Sequence, residues 1–243
     1  ADSLFTPAST TKLFTALAAL EYLGPEFRYE TGLSYDKQHL VKGVLKGNAV
    51  ITFSGDPSLT KDNLKNLVSQ LTSKKMHTID GDILLDDSCF AGAPWGAGWS
   101  WDNHQWYFSP PIVGALVDQN QIGVTLNTSL TLNEPVLVNF SDETDAKFFS
   151  ITSDLQTVTY PDSMSKCQIS VTQPLSSEYH FSGCWPINDK ESRLKVAVQN
   201  PKDWIVRLIE DWMSEAGIKV KGKIAFAKQK DKLPKVYVHY SEP

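Results

Sequence analysis

Ser9 and Lys12 stand three residues apart at the opening of an apolar run, Phe5-Thr6-Pro7-Ala8-Ser9-Thr10-Thr11-Lys12-Leu13-Phe14-Thr15-Ala16-Leu17-Ala18-Ala19-Leu20. On a helix, residues three apart share a face. A lysine so placed can take the proton of a serine hydroxyl and make it a nucleophile without a histidine. Burial disfavours the ammonium form, which is the condition for a lysine general base. In the first turn the hydroxyl also lies near free backbone N–H groups and the positive end of the helix dipole. The backbone N–H of Ser9 can supply half of an oxyanion hole. Spacing alone selects nothing, because four further Ser-x-x-Lys matches begin at Ser34, Ser58, Ser163 and Ser192. Without structural context such a match is as well read as a serine helix cap followed by a surface lysine.

Context must come from the element that carries the pair. Pro7 and Ala8 lead into a helix, and Gly24-Pro25 is a stop signal. Leu13, Phe14, Leu17, Leu20, Tyr22 and Leu23, interleaved with alanines, cover nearly its whole circumference. An all-round apolar helix is expected to be buried. On this reading only the first match is followed by a long run able to form a buried helix.

The remaining chain alternates strand-like and helical patterns. Strands are expected over 29–33, 40–53, 79–86, 112–132, 136–140, 221–227 and 236–240. Helical spacing of Leu64, Leu67, Val68 and Leu71 predicts a helix within 59–75. Asn200-Pro201-Lys202-Asp203 is a strong helix start, with Trp204, Ile205, Leu208, Ile209, Trp212 and Met213 on its apolar face and Gly217 at its end. Residues 141–190 are β-rich, polar and turn-rich, and read as a small insertion. Residues 92–111 hold four of the seven tryptophans, with Tyr107, Phe108 and Pro110-Pro111. This is either a loop pinned to the core by its rings or the rigid wall of a binding cleft.

The 243 residues, 41% hydrophobic and 21% charged, suffice for one large domain or two to three small ones. A net charge of −5 with no basic cluster argues against nucleic acid as a partner. No apolar stretch reaches the length of a membrane span, and no signal peptide pattern is present. Cys89, Cys167 and Cys184 are too few for a disulfide scaffold. A bridge between Cys167 and Cys184, in neighbouring strand-like runs, and three buried thiols both remain open. There is no Cys-x-x-Cys or His-x-x-x-His pair, so neither a metal nor a cofactor is expected.

The series Pro7-Ala8-Ser9-Thr10-Thr11-Lys12, Leu23-Gly24-Pro25-Glu26-Phe27-Arg28, Gly55-Asp56-Pro57-Ser58-Leu59, Gly98-Trp99-Ser100-Trp101-Asp102, Ser109-Pro110-Pro111, Asp118-Gln119-Asn120, Ser182-Gly183-Cys184 and His239-Tyr240-Ser241-Glu242-Pro243 runs through the whole chain. It resembles the class C low-molecular-mass penicillin-binding proteins, which are D-alanyl-D-alanine carboxypeptidases and endopeptidases. The resemblance implies an α+β fold. Part of a penicillin-recognising serine-peptidase domain would carry a large inserted α/β domain, which itself carries a small β-rich domain. The implied boundaries are 1–30 for the catalytic helix, 31–140 and 191–235 for the insertion, 141–190 for the inner domain, and 236–243 for the return.

The implied chemistry is attack by Ser9 on the carbonyl between two terminal D-alanines, with Lys12 as base, through an acyl-enzyme. β-Lactams would acylate the same serine. Trp101, Asp102, Asn103 and Phe108 would contact the peptidoglycan stem peptide; Asn103 stands where many relatives have a second acid. An extracytoplasmic, cell-envelope location is implied, and with it a Cys167–Cys184 disulfide. The family's Ser-x-Asn and Lys-Thr-Gly motifs find no suitable match, so the chain is expected to be an interior piece of a longer enzyme and inactive alone. A serine β-lactamase or esterase, or a non-catalytic wall-binding protein, are the rival readings.

Overall fold

Helix starts and stops follow the sequence closely. The computed structural model describes residues 5–165, 167–188, 190–227 and 233–243. Helix α1 spans Thr11–Leu23 and ends at Gly24, whose φ of 79° places it in the left-handed region that glycine adopts without strain. Strands β1 (Glu30–Ser34) and β2 (Ala49–Thr52) follow. Helix α2, Lys61–Ser73, opens with a capping box: Thr60 Oγ1 accepts from the Asn63 N–H at 3.1 Å, and Asn63 Oδ1 accepts from the Thr60 N–H at 3.2 Å. Strand β3 is Ile83–Asp86. After the aromatic segment come β4 (Gln121–Asn127), β5 (Leu137–Phe140), β6 (Ser150–Ser153), β7 (Ser170–Leu175), β8 (Glu178–Ser182) and β9 (Ser192–Ala197). Helix α3, Pro201–Glu215, has proline in its first turn and Asn200 capping the Asp203 N–H. Strands β10 (Ile224–Phe226) and β11 (Lys235–Tyr240) close the chain.

The strands assemble into a mixed five-stranded sheet in the order β10-β3-β2-β1-β11. β2 and β3 are parallel and joined through α2; β1 is antiparallel to both β2 and β11. Leu64, Leu67, Val68 and Leu71 of α2 and Trp204, Ile205, Leu208 and Ile209 of α3 are buried in the core with strand residues Leu33, Ile51 and Leu85. A second sheet, β9-β4-β5, is fully antiparallel, and a third runs β7-β8-β6. The fold is thus α+β.

Two expectations are corrected. The strand expected over 112–132 is confined to Gln121–Asn127. Ahead of it Asp118, Gln119 and Asn120 take φ of 47°, 59° and 55°, a left-handed turn that a strand cannot contain. Asn120 makes that turn tenable: its buried amide accepts from the Val117 N–H and donates to the Ala115 carbonyl. The Lys235–Tyr240 strand, β11, pairs with β1, Gly32 opposite Val238. Its Val-Tyr-Val run suits a strand, and β1 would otherwise carry an unpaired edge.

Second, among the described residues the helix expected to be buried is left largely uncovered. Leu13, Phe14, Leu17 and Leu20 of α1 are between 58% and 74% exposed. Among the described residues, its C-terminal end meets the rest of the chain around a cavity shared with Pro57 and Ser241.

The β-rich stretch 141–190 is packed against the larger part rather than set apart. One buried cluster runs from Leu33 through Phe149 and Tyr179 to Trp204 and Ile218. The Tyr179 hydroxyl donates to the Ala197 carbonyl at 2.9 Å, and the Phe149 ring lies 6.0 Å from that of Trp204.

Candidate active site

Ser9 lies in a 3-10 turn, Ala8–Thr10, that runs directly into α1. Thr10 donates to the Pro7 carbonyl through both its N–H and its hydroxyl, which closes the turn. The Ser9 hydroxyl caps no backbone N–H. It accepts instead from Lys12 Nζ at 2.8 Å. Serine and lysine are therefore in proton-transfer geometry. Both are exposed, so the described residues supply the contact but not the desolvation that favours a neutral lysine.

Of the other four matches, the three whose residues are all described do not form such a pair. Ser34 is buried in β1, Ser163 donates to the Tyr160 carbonyl, and Ser192 accepts from Trp185 Nε1; Lys166 lies outside the described residues. Ser58–Lys61 is the instructive case. It too opens a thirteen-residue helix, and that helix is the buried one. Yet Ser58 Oγ donates to Asp56 Oδ1 at 2.6 Å, while Lys61 Nζ turns to Asp142 Oδ2 at 2.7 Å and Asp145 Oδ1 at 2.8 Å. A buried helix behind the motif is therefore not what separates Ser9 from its rivals; the serine–lysine hydrogen bond is.

Asp118 approaches Lys61 to 4.0 Å, so three carboxylates surround one ammonium. Burial opposes the charged lysine, but its hydrogen bonds to Asp142 and Asp145 outweigh this and hold its pKa above the ordinary value. Asp142 is partly desolvated, yet hydrogen bonds from Lys61 and Thr144 hold its carboxyl down at about 2. Asp145 and Asp118 are pushed up, chiefly by burial. The sequence reading missed this cluster. The acids lie 57 to 84 positions beyond Lys61, and no local pattern links them.

The aromatic segment is irregular, with a single 3-10 turn at Trp101–Asn103. Trp101, 75% exposed, and the exposed Asp102 and Asn103 project from that turn, and Ser100 Oγ donates to Asp102 Oδ1 at 3.1 Å. Beneath it, His104 is buried and stacked on Trp95, ring centroids 4.8 Å apart, with Trp101 at 5.1 Å. Phe108 is exposed, its ring edge-on to Tyr107. The segment is tied to β9 by the Ala197 N–H donating to the Gln105 carbonyl at 2.8 Å. The structure therefore brings Trp101, Asp102 and Asn103 together. Among the described residues, no hydrogen bond, ion pair or ring contact joins them to Ser9 or Lys12.

Cys167 and Cys184 form a disulfide, Cα atoms 5.8 Å apart, that clamps the base of the β7-β8 hairpin; Cys89 is exposed and free. Among the described residues no helix is long and apolar enough to cross a membrane.

The chain as a whole is similar to known proteins. The D-alanyl-D-alanine carboxypeptidase DacB of Haemophilus influenzae is 29% identical over 238 residues, 97% of this chain and 48% of that protein. The crystal structure of penicillin binding protein 4 (dacB) from the same organism superposes with a TM-score of 0.81 at 30% identity, covering 98% of this chain and 52% of that one. A second structure of it, complexed with a novel β-lactam, gives 0.72 at 28% identity over 98% of this chain and 50% of that one. The chain spans about half the length of the relatives it matches. The model of the family described as D-Ala-D-Ala carboxypeptidase 3 (S13) matches residues 1–243, and the chain belongs to that family.

Proposed function

We propose that the protein is a serine D,D-peptidase of peptidoglycan. Ser9 attacks the carbonyl between two terminal D-alanines as Lys12 Nζ takes the hydroxyl proton, that proton passes to the amine of the departing D-alanine as the peptide C–N bond breaks, and water hydrolyses the Ser9 ester to free the carboxylate and the serine. The observation that carries this is the 2.8 Å Lys12–Ser9 hydrogen bond in the first turn of an apolar helix. The likeness to a D-alanyl-D-alanine carboxypeptidase and to a structure holding a β-lactam supports it.

An apolar helix this exposed calls for a cover. In the active enzyme that cover would bury Ser9 and Lys12 and complete the oxyanion hole. In the same reading residues 1–30 and 236–243 belong to the catalytic unit, 31–140 and 191–235 to the inserted part, and 141–190 to its small inner domain. The Trp101–Asn103 turn and Phe108 would form a wall of the cleft, meeting the stem-peptide side chain. The site of action would be the cell envelope, where a disulfide persists.

The test is labelling of the full-length enzyme with a fluorescent penicillin, followed by peptide mapping. The adduct is expected on Ser9 and absent in Ser9→Ala. An adduct on Ser34, Ser58, Ser163 or Ser192 overturns the assignment. Rapid loss of the label through hydrolysis would favour a β-lactamase over a D,D-peptidase. For the cleft wall, Asn103→Asp should shift preference toward stem peptides with a free side-chain amine, and Asp102→Ala should weaken that preference more than it weakens penicillin acylation. Equal effects on all substrates would reduce the turn to packing.

A further inference from the structure

The outer face of the β9-β4-β5 sheet carries an open groove that the serine chemistry does not use. Its larger part, a cavity of about 540 Å³, is lined by Trp106, Tyr107, Gly123, Ser141, Arg193 and Lys195 among others. A second cavity of about 390 Å³ shares Gly123, Ser141 and Lys195 and extends the groove past Gln121 to Gln119 and Asp118. Neither shares a residue with Ser9 or Lys12.

The register explains how the groove is built. Lys195 on β9 lies opposite Gly123 on β4. Paired residues of an antiparallel sheet share a face, as do residues two apart on one strand. Lys195, Gly123, Arg193 and Gln121 therefore all belong to one face. The Ser141 N–H donates to the Gly123 carbonyl at 2.9 Å, which brings its hydroxyl to the same floor. A side chain at position 123 would put its Cβ 3.0 Å from Ser141 Cβ and Oγ; glycine keeps the floor open. The opposite wall is aromatic. Trp106 bridges to Val196, and the Tyr107 carbonyl accepts from Gln121 Nε2 at 2.8 Å, so the backbone that carries both rings is tied to the sheet edge.

The chemistry of the lining selects an occupant. Flat rings offer apolar area to the face of a saturated ring or chain. Arg193 spends its Nε on Glu191, at 3.0 Å, and Lys195 has no ion pair among the described residues. At the Trp106 end of the groove these two neighbouring cations are complementary to carboxylates, while the acids Asp118, Asp142 and Asp145 at the other end are turned to Lys61. Amide and hydroxyl groups of Gln119, Gln121 and Ser141 can serve hydroxyls or amides along an extended ligand. We propose that this groove is a docking site for the intact peptidoglycan strand: sugar faces lie against Trp106 and Tyr107, and muropeptide carboxylates meet Arg193 and Lys195. The proposal rests on the D,D-peptidase reading. It assigns the groove to holding the polymer while the serine site handles the peptide end.

The experiment is co-sedimentation of the full-length enzyme with purified sacculi, with Ser9 covered by penicillin in every sample. Arg193→Glu/Lys195→Glu should lower the retained fraction at least tenfold. Amidation of the sacculus carboxylates should do the same to the native enzyme and nothing further to the variant. Gly123→Val, which keeps both cations but fills the floor, should also lower retention. Equal retention of native and charge-reversed enzyme, or equal retention on native and amidated sacculi, overturns the proposal. The penicillin taken up by each sample reports that it is folded; if the charge-reversed enzyme takes up none, Arg193→Gln/Lys195→Gln replaces it under the same criteria. A native enzyme that takes no penicillin, yet loses sacculi on charge reversal, would overturn the serine reading and leave the groove standing.

Discussion

Ser9–Lys12 and Ser58–Lys61 are the same motif at the start of two helices of equal length, and they end in opposite situations. At the first, lysine and serine bond to each other on an exposed helix. At the second, the lysine is drawn into a cluster of three acids and the serine into an Asp56 turn. Spacing delivers proximity to both pairs. What each lysine does is decided by the groups that the fold brings to it. A lysine held by two carboxylates at hydrogen-bond distance is kept protonated and cannot act as a base; Lys12 has no such competitor among the described residues.

The contrast can be broken most forcefully at catalysis. Lys12→Ala in the full-length enzyme should slow penicillin acylation by on the order of 100- to 10,000-fold, the usual share of general-base assistance, with the thermal midpoint nearly unchanged. Lys61→Ala should leave acylation intact. Stopped-flow acylation of the two variants gives the comparison directly, and a loss at Lys61 as large as at Lys12 would sink it.

Stability should rank the pair the other way. Lys61→Met leaves Asp145, only 3% exposed at its side chain, without its cation. Breaking a buried pair from one side costs about 3–5 kcal/mol, measurable by urea unfolding. The pH dependence follows with opposite signs. Asp142, depressed to about 2 in the native state, contributes stability above its unfolded pKa that is lost as the pH falls toward 2. Asp145 and Asp118 are raised, so the native state holds their protons longer and their contribution grows as the pH falls. In Lys61→Met the Asp142 contribution should shrink to what the Thr144 hydrogen bonds sustain, and that of Asp145 should strengthen. Acidification from pH 7 to 5 should then stabilise the variant more than the native chain. Parallel stability–pH curves for the two would contradict this account.

A third expectation concerns the hairpin clamp. Removing the Cys167–Cys184 bridge by paired Ala substitution should cost about 3 kcal/mol, as for closure of a loop of this size. Unfolding with and without reductant measures it. The smallest effect sharpens the comparison of the two helices. Leu17→Ala in α1 should change the stability of the 243-residue chain by no more than about 0.5 kcal/mol, whereas Leu64→Ala in α2, fully buried, should cost about 2–5 kcal/mol. Similar losses at both positions would mean that α1 is covered after all.

Much of this protein was legible one segment at a time. The limits of α1, α2 and α3 and the end of α1 at Gly24 follow from local propensity and caps, which need no tertiary partner. The Ser9–Lys12 contact is legible for the same reason: both residues sit within one helical turn. The ordered motifs along the chain pointed to the family before any coordinates. What the sequence could not determine is the company each residue keeps across long separations. The Lys61 cluster joins positions up to 84 apart, β11 returns to β1 over about 200 residues, and the groove depends on Trp106 meeting the β4-β9 register. The exposure of α1 was misread because all-round apolarity states that a helix needs a cover, not where the cover is. Local structure is set by backbone and nearest-neighbour energetics; burial, charge pairing and clefts are set by which surfaces meet, and only the tertiary fold decides that.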